Sequence, residues 1–195
     1  MGALTDIGTY LVQTLFELYL FVVVARFLLQ VARADFYNPI SQFIVKATNP
    51  LLKPVRKVVP GLGGFDLASV VLGVILQVVA MTILLLMQGY GFYNPAMLAL
   101  WGLIGLVSMV INLYFVALLA SIILSWIAPG SYNPAVLLIS QLVAPIMRPI
   151  QAIIPSMGGL DISPIFAFIG INIAKILLSH AAASVSLPAG LVLGI

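Results

Sequence analysis

Cysteine is absent from the chain, which excludes disulfides, thiolate metal sites and a cysteine nucleophile. Charge is scarce too: Asp, Glu, Lys and Arg together supply 7% of the 195 residues, where soluble domains carry about a quarter. The single histidine, His180, has no carboxylate near it in sequence and reads as an interfacial side chain rather than a proton relay. No Ser-His-Asp arrangement, metal-ligand spacing or glycine-rich phosphate loop is present. These absences predict a protein that is not an enzyme, with no catalytic residues, no metal and no cofactor. The net charge of +3 is too small to suggest a nucleic-acid partner. What remains is apolar: 63% hydrophobic residues and a mean hydropathy of +1.24 make the lipid bilayer the main solvent.

A helix rises about 1.5 Å per residue and a hydrocarbon core is about 30 Å thick, so about 20 apolar residues cross it. Stretches at about 4–31, 67–88, 100–127 and 162–180 reach that length. The first charge is Asp6 rather than a basic n-region, so the first stretch reads as a retained helix and not a cleaved signal. Residues 184–195 are apolar but few, carry Pro188, and read as a tail. The predicted fold class is an all-α membrane protein with four transmembrane helices.

Self-similarity organises these stretches. Tyr37-Asn38-Pro39 returns 95 positions later as Tyr132-Asn133-Pro134, and the interval then holds without a gap. Pro50 pairs with Pro145, Pro54 with Pro149, Pro60 with Pro155, Gly63-Gly64 with Gly158-Gly159, and Asp66 with Asp161. Ten of the 30 positions from Tyr37 to Asp66 are identical, far above chance. The chain therefore divides into a first repeat, 1–88, with its loop at 33–66; a joint, 89–95; a second repeat, 96–183, with its loop at 129–161; and the tail, 184–195. Two crossings per repeat predict tandem hairpins of parallel orientation, related by an axis along the membrane normal.

Both loops are Pro-rich and read as interfacial. Asn38-Pro39, Asn49-Pro50 and Asn133-Pro134 each place an N-cap before a proline suited to the first helical position, which predicts two short helices per loop. In the first loop Phe43, Ile44, Leu51 and Val55 are interspersed with Lys46, Lys53, Arg56 and Lys57, the amphipathic mixture of a segment lying at the membrane surface. Asp66 and Asp161 are expected to cap the helices that follow, and the glycine pairs to allow the turn into the bilayer. Arg33 and those four basic residues fall in the first loop and Arg148 in the second, while the opposite side holds only Lys175 near the end of the last span. The positive-inside rule then predicts cytoplasmic loops and outward termini. With Arg26, which is expected to snorkel towards the cytoplasm, these basic residues are candidate contacts for anionic lipids or a partner protein.

Polar residues inside the spans are the other lead, because each is costly in lipid and needs a partner. Across the 95-residue interval Glu17 aligns with Asn112 and Gln77 with Asn172, all near the middle of a span. One reading is a polar midplane site between the repeats, with Glu17 attracting a cation. The other is interhelical hydrogen bonding worth about 0.6 kcal/mol per residue, with Glu17 protonated or paired.

The motif order Asn-Pro, then Pro-x-x-x-Pro with basic residues, then Pro-x-x-Gly-Gly-x-Asp at the head of an apolar helix resembles the YggT family, here in two tandem copies. The second copy departs from the first by having Gln151 and Ala152 where the first has Arg56 and Lys57. The resemblance implies a bacterial inner-membrane protein, or a plastid relative, without catalytic residues. It implies a contribution to osmotic or ion homeostasis, with ion transport as one route. The alternative it implies is a scaffold or assembly factor in cell division or membrane-complex biogenesis. That scaffold would act through its loops on lipids, on a second copy of itself or on another membrane protein.

Overall fold

The computed structural model describes residues 2–61, 65–154, 161–188 and 190–195. Among the described residues its elements are six helices: α1 (Ala3–Val31), α2 (Pro39–Val58), α3 (Leu67–Met87), α4 (Pro95–Ile127), α5 (Pro134–Ile153) and α6 (Ser163–Ser184). Helices α2 and α5 begin and end 95 positions apart, so the interval read from the sequence is also an interval between elements. All but α2 are long and apolar enough to cross a membrane. Helix α1 packs on α3, α3 on α4 and α4 on α6; α2 lies against α1 and α3, and α5 against α4 and α6. Among the described residues α6 touches only α4 and α5.

The helix starts follow their caps. Asn38, Asn94 and Asn133 each accept a hydrogen bond from the backbone N–H two residues on, at 2.9 Å, with proline in the first turn. Asn94-Pro95 sets the start of α4 inside the stretch expected to be a joint, and makes α4 a helix of 33 residues. Helix α1 ends where Arg33 takes a left-handed φ of 51° and the Ala34 N–H reaches back to the Leu29 carbonyl at 2.9 Å.

Each Pro-rich loop holds one 20-residue helix rather than two short ones. Asn49 does not cap; α2 runs straight through Pro50 and Pro54, and α5 through Pro145 and Pro149. A proline inside a helix offers no N–H to the carbonyl four residues back and crowds it with its ring. All four of these prolines face outwards, so the disrupted side of each helix lies away from the packed face. The packed face of α2 is braced from α1 instead. The Tyr19 hydroxyl donates to the Ala47 carbonyl at 3.2 Å, and the Arg26 guanidinium to the Val45 carbonyl at 3.1 Å.

Helices α3 and α4 approach closely because Gly102 has no side chain. A Cβ there would lie 3.1 Å from the Gln77 Cβ and 3.5 Å from the Val74 carbonyl oxygen. Small residues at helix contacts are the means by which spans associate in lipid, where burial of apolar surface gives little drive.

The chain after α6 does not trail away. Residues 190–195 turn back among α1, α3 and α4, and Leu191, Val192 and Leu193 are buried in one cluster with Leu20, Met81 and Trp101. The Trp101 indole N–H donates to the Val185 carbonyl at 3.1 Å and fixes the start of this return. The apolar tail expected at 184–195 is thus packed into the bundle over residues 190–195. Segment length alone did not disclose that its carbonyls would meet donors on three helices.

Gly105 marks the seat of this segment, since a Cβ there would come within 2.8 Å of the Gln77 amide nitrogen and 3.1 Å of the Leu193 carbonyl oxygen. Gly105→Val should therefore displace it. Hydrogen exchange on the protein in micelles would show amide protection lost at Leu191–Gly194 and retained in α2, whereas unchanged protection at both would mean that the seat is not where the packing puts it.

Candidate functional site

Two polar constellations stand out. The first is halfway along the long helices. Gln77, fully buried on α3, donates to the Leu193 carbonyl at 2.9 Å and accepts the Leu193 N–H at 3.3 Å. On α4, Ser108 and Asn112 both donate to the Gly194 carbonyl, at 2.7 Å and 3.0 Å. Gln13 on α1 donates to the Gly190 carbonyl at 3.0 Å. The returning segment is thus held by side chains from all three helices, and each bond satisfies a backbone group that hydrocarbon would leave bare.

Three of the four residues expected at a midplane site come together around this segment, and one does not. Gln77 and Asn112 bind successive carbonyls, while Glu17 and Asn112 line a cavity of about 390 Å3 together with Thr14 and Gly194. Glu17 itself is exposed. Asn172 is exposed on α6 and donates back to the Phe168 carbonyl of its own helix at 2.9 Å. The reason is packing: α3 lies between α1 and α4, whereas α6 meets neither α1 nor α3 among the described residues. Repeat alignment pairs Gln77 with Asn172 but carries no information about which copy is central. Gln13 and Ser108 escaped the sequence reading although they are themselves a polar pair 95 positions apart, the same signal that drew out Glu17 with Asn112.

The second constellation lies where α1 and α4 end and α3 and α6 begin. Arg26 does not snorkel; it is 5% exposed and points into the α1–α2 contact. Its guanidinium donates to the Thr48 hydroxyl, to the Asn49 amide oxygen at 2.9 Å and to the Val45 carbonyl. Arg26 is therefore withdrawn from the basic residues expected to contact lipid. A guanidinium buried with three oxygen acceptors is stable where a bare charge in lipid is not.

Next to it, Asp66 is buried and accepts from Arg56 in an ion pair and from the Ser69 hydroxyl at 2.6 Å. The carboxylate precedes α3 as expected but spends its oxygens on these side chains rather than on the free backbone N–H groups of the helix. Burial pushes the Asp66 carboxyl up, and the hydrogen bonds and charge of Arg56 with the Ser69 bond outweigh it, leaving its pKa below the ordinary value. In the second repeat the same geometry returns with a neutral partner: Gln151 donates to Asp161 at 2.9 Å, and the Ser163 N–H caps it at 2.9 Å. Hydrogen bonds from Ser163 and Gln151 hold the Asp161 carboxyl low as well. The replacement of Arg56 by Gln151 thus keeps the contact and removes the charge.

Arg33, Lys46, Lys53, Arg56, Lys57 and Arg148 are exposed. Of the loop motif, Asn38 also ties the repeats together, its amide donating to the Pro134 carbonyl at 2.7 Å, and the Asp35 N–H reaches Gln141 at 2.9 Å. Pro60 is exposed, while Gly63, Gly64, Pro155, Gly158 and Gly159 lie outside the described residues.

A sequence profile of the CCB3/YggT family matches residues 5–87 and again residues 100–182. An uncharacterized protein of Pseudomonas aeruginosa is 47% identical over 190 residues, covering 96% of both chains. An uncharacterized protein of Vibrio alginolyticus is 43% identical over 171 residues, 87% of this chain and 92% of its own. The uncharacterized protein YggT of Escherichia coli K12 is 35% identical over 158 residues, 80% of each. No solved structure matches.

Two outcomes test the second constellation. Arg26→Met removes three charged hydrogen bonds and strands the Asn49 oxygen, for a loss of roughly 3 kcal/mol. Thermal unfolding in detergent would show the loss, and cysteines placed on the buried face of α2 would become reactive. A folded-state pKa below the unfolded value of about 3.9 means that Asp66 stabilises fully above that value and loses its contribution as pH falls through the folded one. Acid titration of stability should therefore flatten in Asp66→Asn, and an unchanged acid limb would assign that limb to another group.

Proposed function

The chain belongs to the CCB3/YggT family, and we propose that it is a non-enzymatic membrane scaffold that works through the basic face of α2 at the cytoplasmic surface. The observation that carries this reading is one stripe on that helix. Lys46, Lys53 and Lys57 are exposed and, at about 100° per residue, fall within roughly 40° of one another around the axis. Phe43, Leu51 and Val58 are exposed along the adjoining flank. A helix so divided lays its apolar flank among acyl chains and its lysines among anionic headgroups. The same face is available to a membrane protein partner, a second copy of the chain included.

Four helices, α1, α3, α4 and α6, cross the bilayer in this proposal. Helix α5 is apolar enough to cross, but its counterpart α2 carries Lys46, Lys53, Arg56 and Lys57, and two repeats of one family take one placement. The positive-inside rule then sets α2 and α5 on the cytoplasmic side of a bacterial inner membrane, with residue 2 on the other side and residues 190–195 turned back into the bundle. The bacterial sources of the relatives support that membrane.

A second reading, ion transport in the service of osmotic or ion homeostasis, is favoured by the cavity in which Glu17 stands beside Thr14 and Asn112. Against it, the returning segment fills the space beside Gln77, Ser108 and Asn112, so a cation path along those residues would require that segment to leave.

Potassium and sodium flux into proteoliposomes should stay at the protein-free level for the wild type and for Glu17→Gln alike. Changing Lys46, Lys53 and Lys57 together to Gln should weaken phosphatidylglycerol retention on the order of a hundredfold at low salt, from about 1 kcal/mol per basic group. Wild-type flux that vanishes in Glu17→Gln would replace the scaffold with a transporter.

A further inference from the structure

The second repeat contains a cavity of about 630 Å3 between α4, α5 and α6; in the first repeat the equivalent Val23, Phe27, Ser69 and Val70 line a smaller cavity of about 270 Å3 that does not reach Lys53 or Asp66. Its walls include Leu118, Ser121, Val143 and Met147, and Arg148 and Asp161 also line it. The residues 95 positions earlier are Val23, Arg26, Thr48, Leu52, Lys53 and Asp66. In the first repeat the part of that space between α1 and α2 is filled: Thr48 and Leu52 are fully buried, and the Arg26 guanidinium lies there on its three acceptors. The second repeat puts Ser121 in place of Arg26, Val143 in place of Thr48 and Ala144 in place of Asn49. A long cationic side chain and both of its side-chain acceptors have gone together, and the volume they occupied opens outwards.

The charges left in that space are complementary to a particular kind of molecule. Asp161 is exposed, is hydrogen-bonded by Gln151 and Ser163, and among the described residues makes no ion pair, whereas Asp66 is neutralised by Arg56. Arg148 supplies one positive charge in the same cavity, and Leu118, Ile122 and Met147 supply an apolar wall. Trp126, 81% exposed at the end of α4, is the aromatic residue usual at the headgroup level of a membrane. A ligand that satisfies all of this needs a hydrogen-bonding cation, an anion close to it and an apolar remainder.

We propose that the cavity holds the headgroup of one ethanolamine phospholipid, its ammonium on Asp161 and its phosphate on Arg148, with the start of an acyl chain along Leu118, Ile122 and Met147. The ammonium offers three N–H donors to the carboxylate. A choline headgroup has the same charges but no N–H to donate, and a glycerol headgroup has no cation. The site is separate from the lysine stripe of α2, which selects for negative charge alone.

The test titrates the purified full-length chain in detergent with phosphatidylethanolamine, phosphatidylcholine and phosphatidylglycerol of matched acyl chains, counting retained lipids by native mass spectrometry. One ethanolamine lipid should bind at least tenfold more tightly than its choline analogue. Asp161→Asn should erase that preference, and Arg148→Gln should weaken both zwitterionic lipids alike. Grafting the first repeat's residues with Ser121→Arg, Val143→Thr and Ala144→Asn together should fill the cavity and abolish the tight ethanolamine site. A melting transition measured without lipid reports whether each variant is folded, and should the graft fail to fold, Asp161→Asn decides alone. Phosphatidylglycerol held by the α2 lysines should be indifferent to Asp161. Equal affinity for ethanolamine and choline lipids, a preference that survives Asp161→Asn, or ethanolamine binding that survives in a folded graft would each overturn the proposal.

Discussion

Hydrocarbon offers no hydrogen bonds, so every polar group at bilayer depth has to find its partner inside the protein. Much of this structure can be traced to that constraint. The chain that returns between α1, α3 and α4 brings backbone carbonyls with no helix to satisfy them, and Gln13, Gln77, Ser108 and Asn112 provide the donors. Arg26 likewise tolerates burial because α2 presents a carbonyl, a hydroxyl and an amide oxygen within one turn of chain. In both places an expensive group is stabilised by another expensive group, and the pair fixes how two elements sit together. Apolar contact alone would leave α2 free to slide along the bundle, since lipid tails would receive its apolar side chains equally well.

Duplication supplied two copies of the same frame, and the copies have taken different work. Asp66 and Asp161 occupy equivalent positions and each accepts from the residue ten places earlier, Arg56 in one and Gln151 in the other. The contact survives while its charge does not. The central position of α3 and the peripheral one of α6 push the divergence further, for Gln77 is sealed inside and Asn172 bonds to its own helix. The returning segment occupies one side of the molecule, so the near-symmetry of the repeats ends at the polar centre.

Much of the helical frame was legible because its signals are local. Apolar runs of sufficient length mark α1, α3, α4 and α6, and Asn38-Pro39 and Asn133-Pro134 mark the starts of α2 and α5. The third such signal, Tyr93-Asn94-Pro95, stood in the sequence in the same three letters and was passed over because it falls outside the 95-residue interval. Asn49-Pro50 misled for the opposite reason: a good cap followed by proline ends a helix only when no neighbour braces the chain through it, and here Tyr19 and Arg26 do so. The placement of Arg26 and of residues 190–195 depends on contacts between segments far apart in the chain. A snorkelling arginine and a buried one are identical in sequence until the acceptors on α2 are known.

Residues 190–195 follow all six helices along the chain, and they are the part that occupies the space between α1, α3 and α4. A ribosome delivers the chain from its N-terminus, so all six described helices are made before this segment. For that interval the amides of Gln77 and Asn112 are without their final acceptors, and the groove beside Gly105 is unfilled. Docking of this short apolar segment is therefore an event distinct from the formation of the helices that receive it. A chain whose synthesis stopped after α6 would leave the amides of Gln77 and Asn112 without these acceptors.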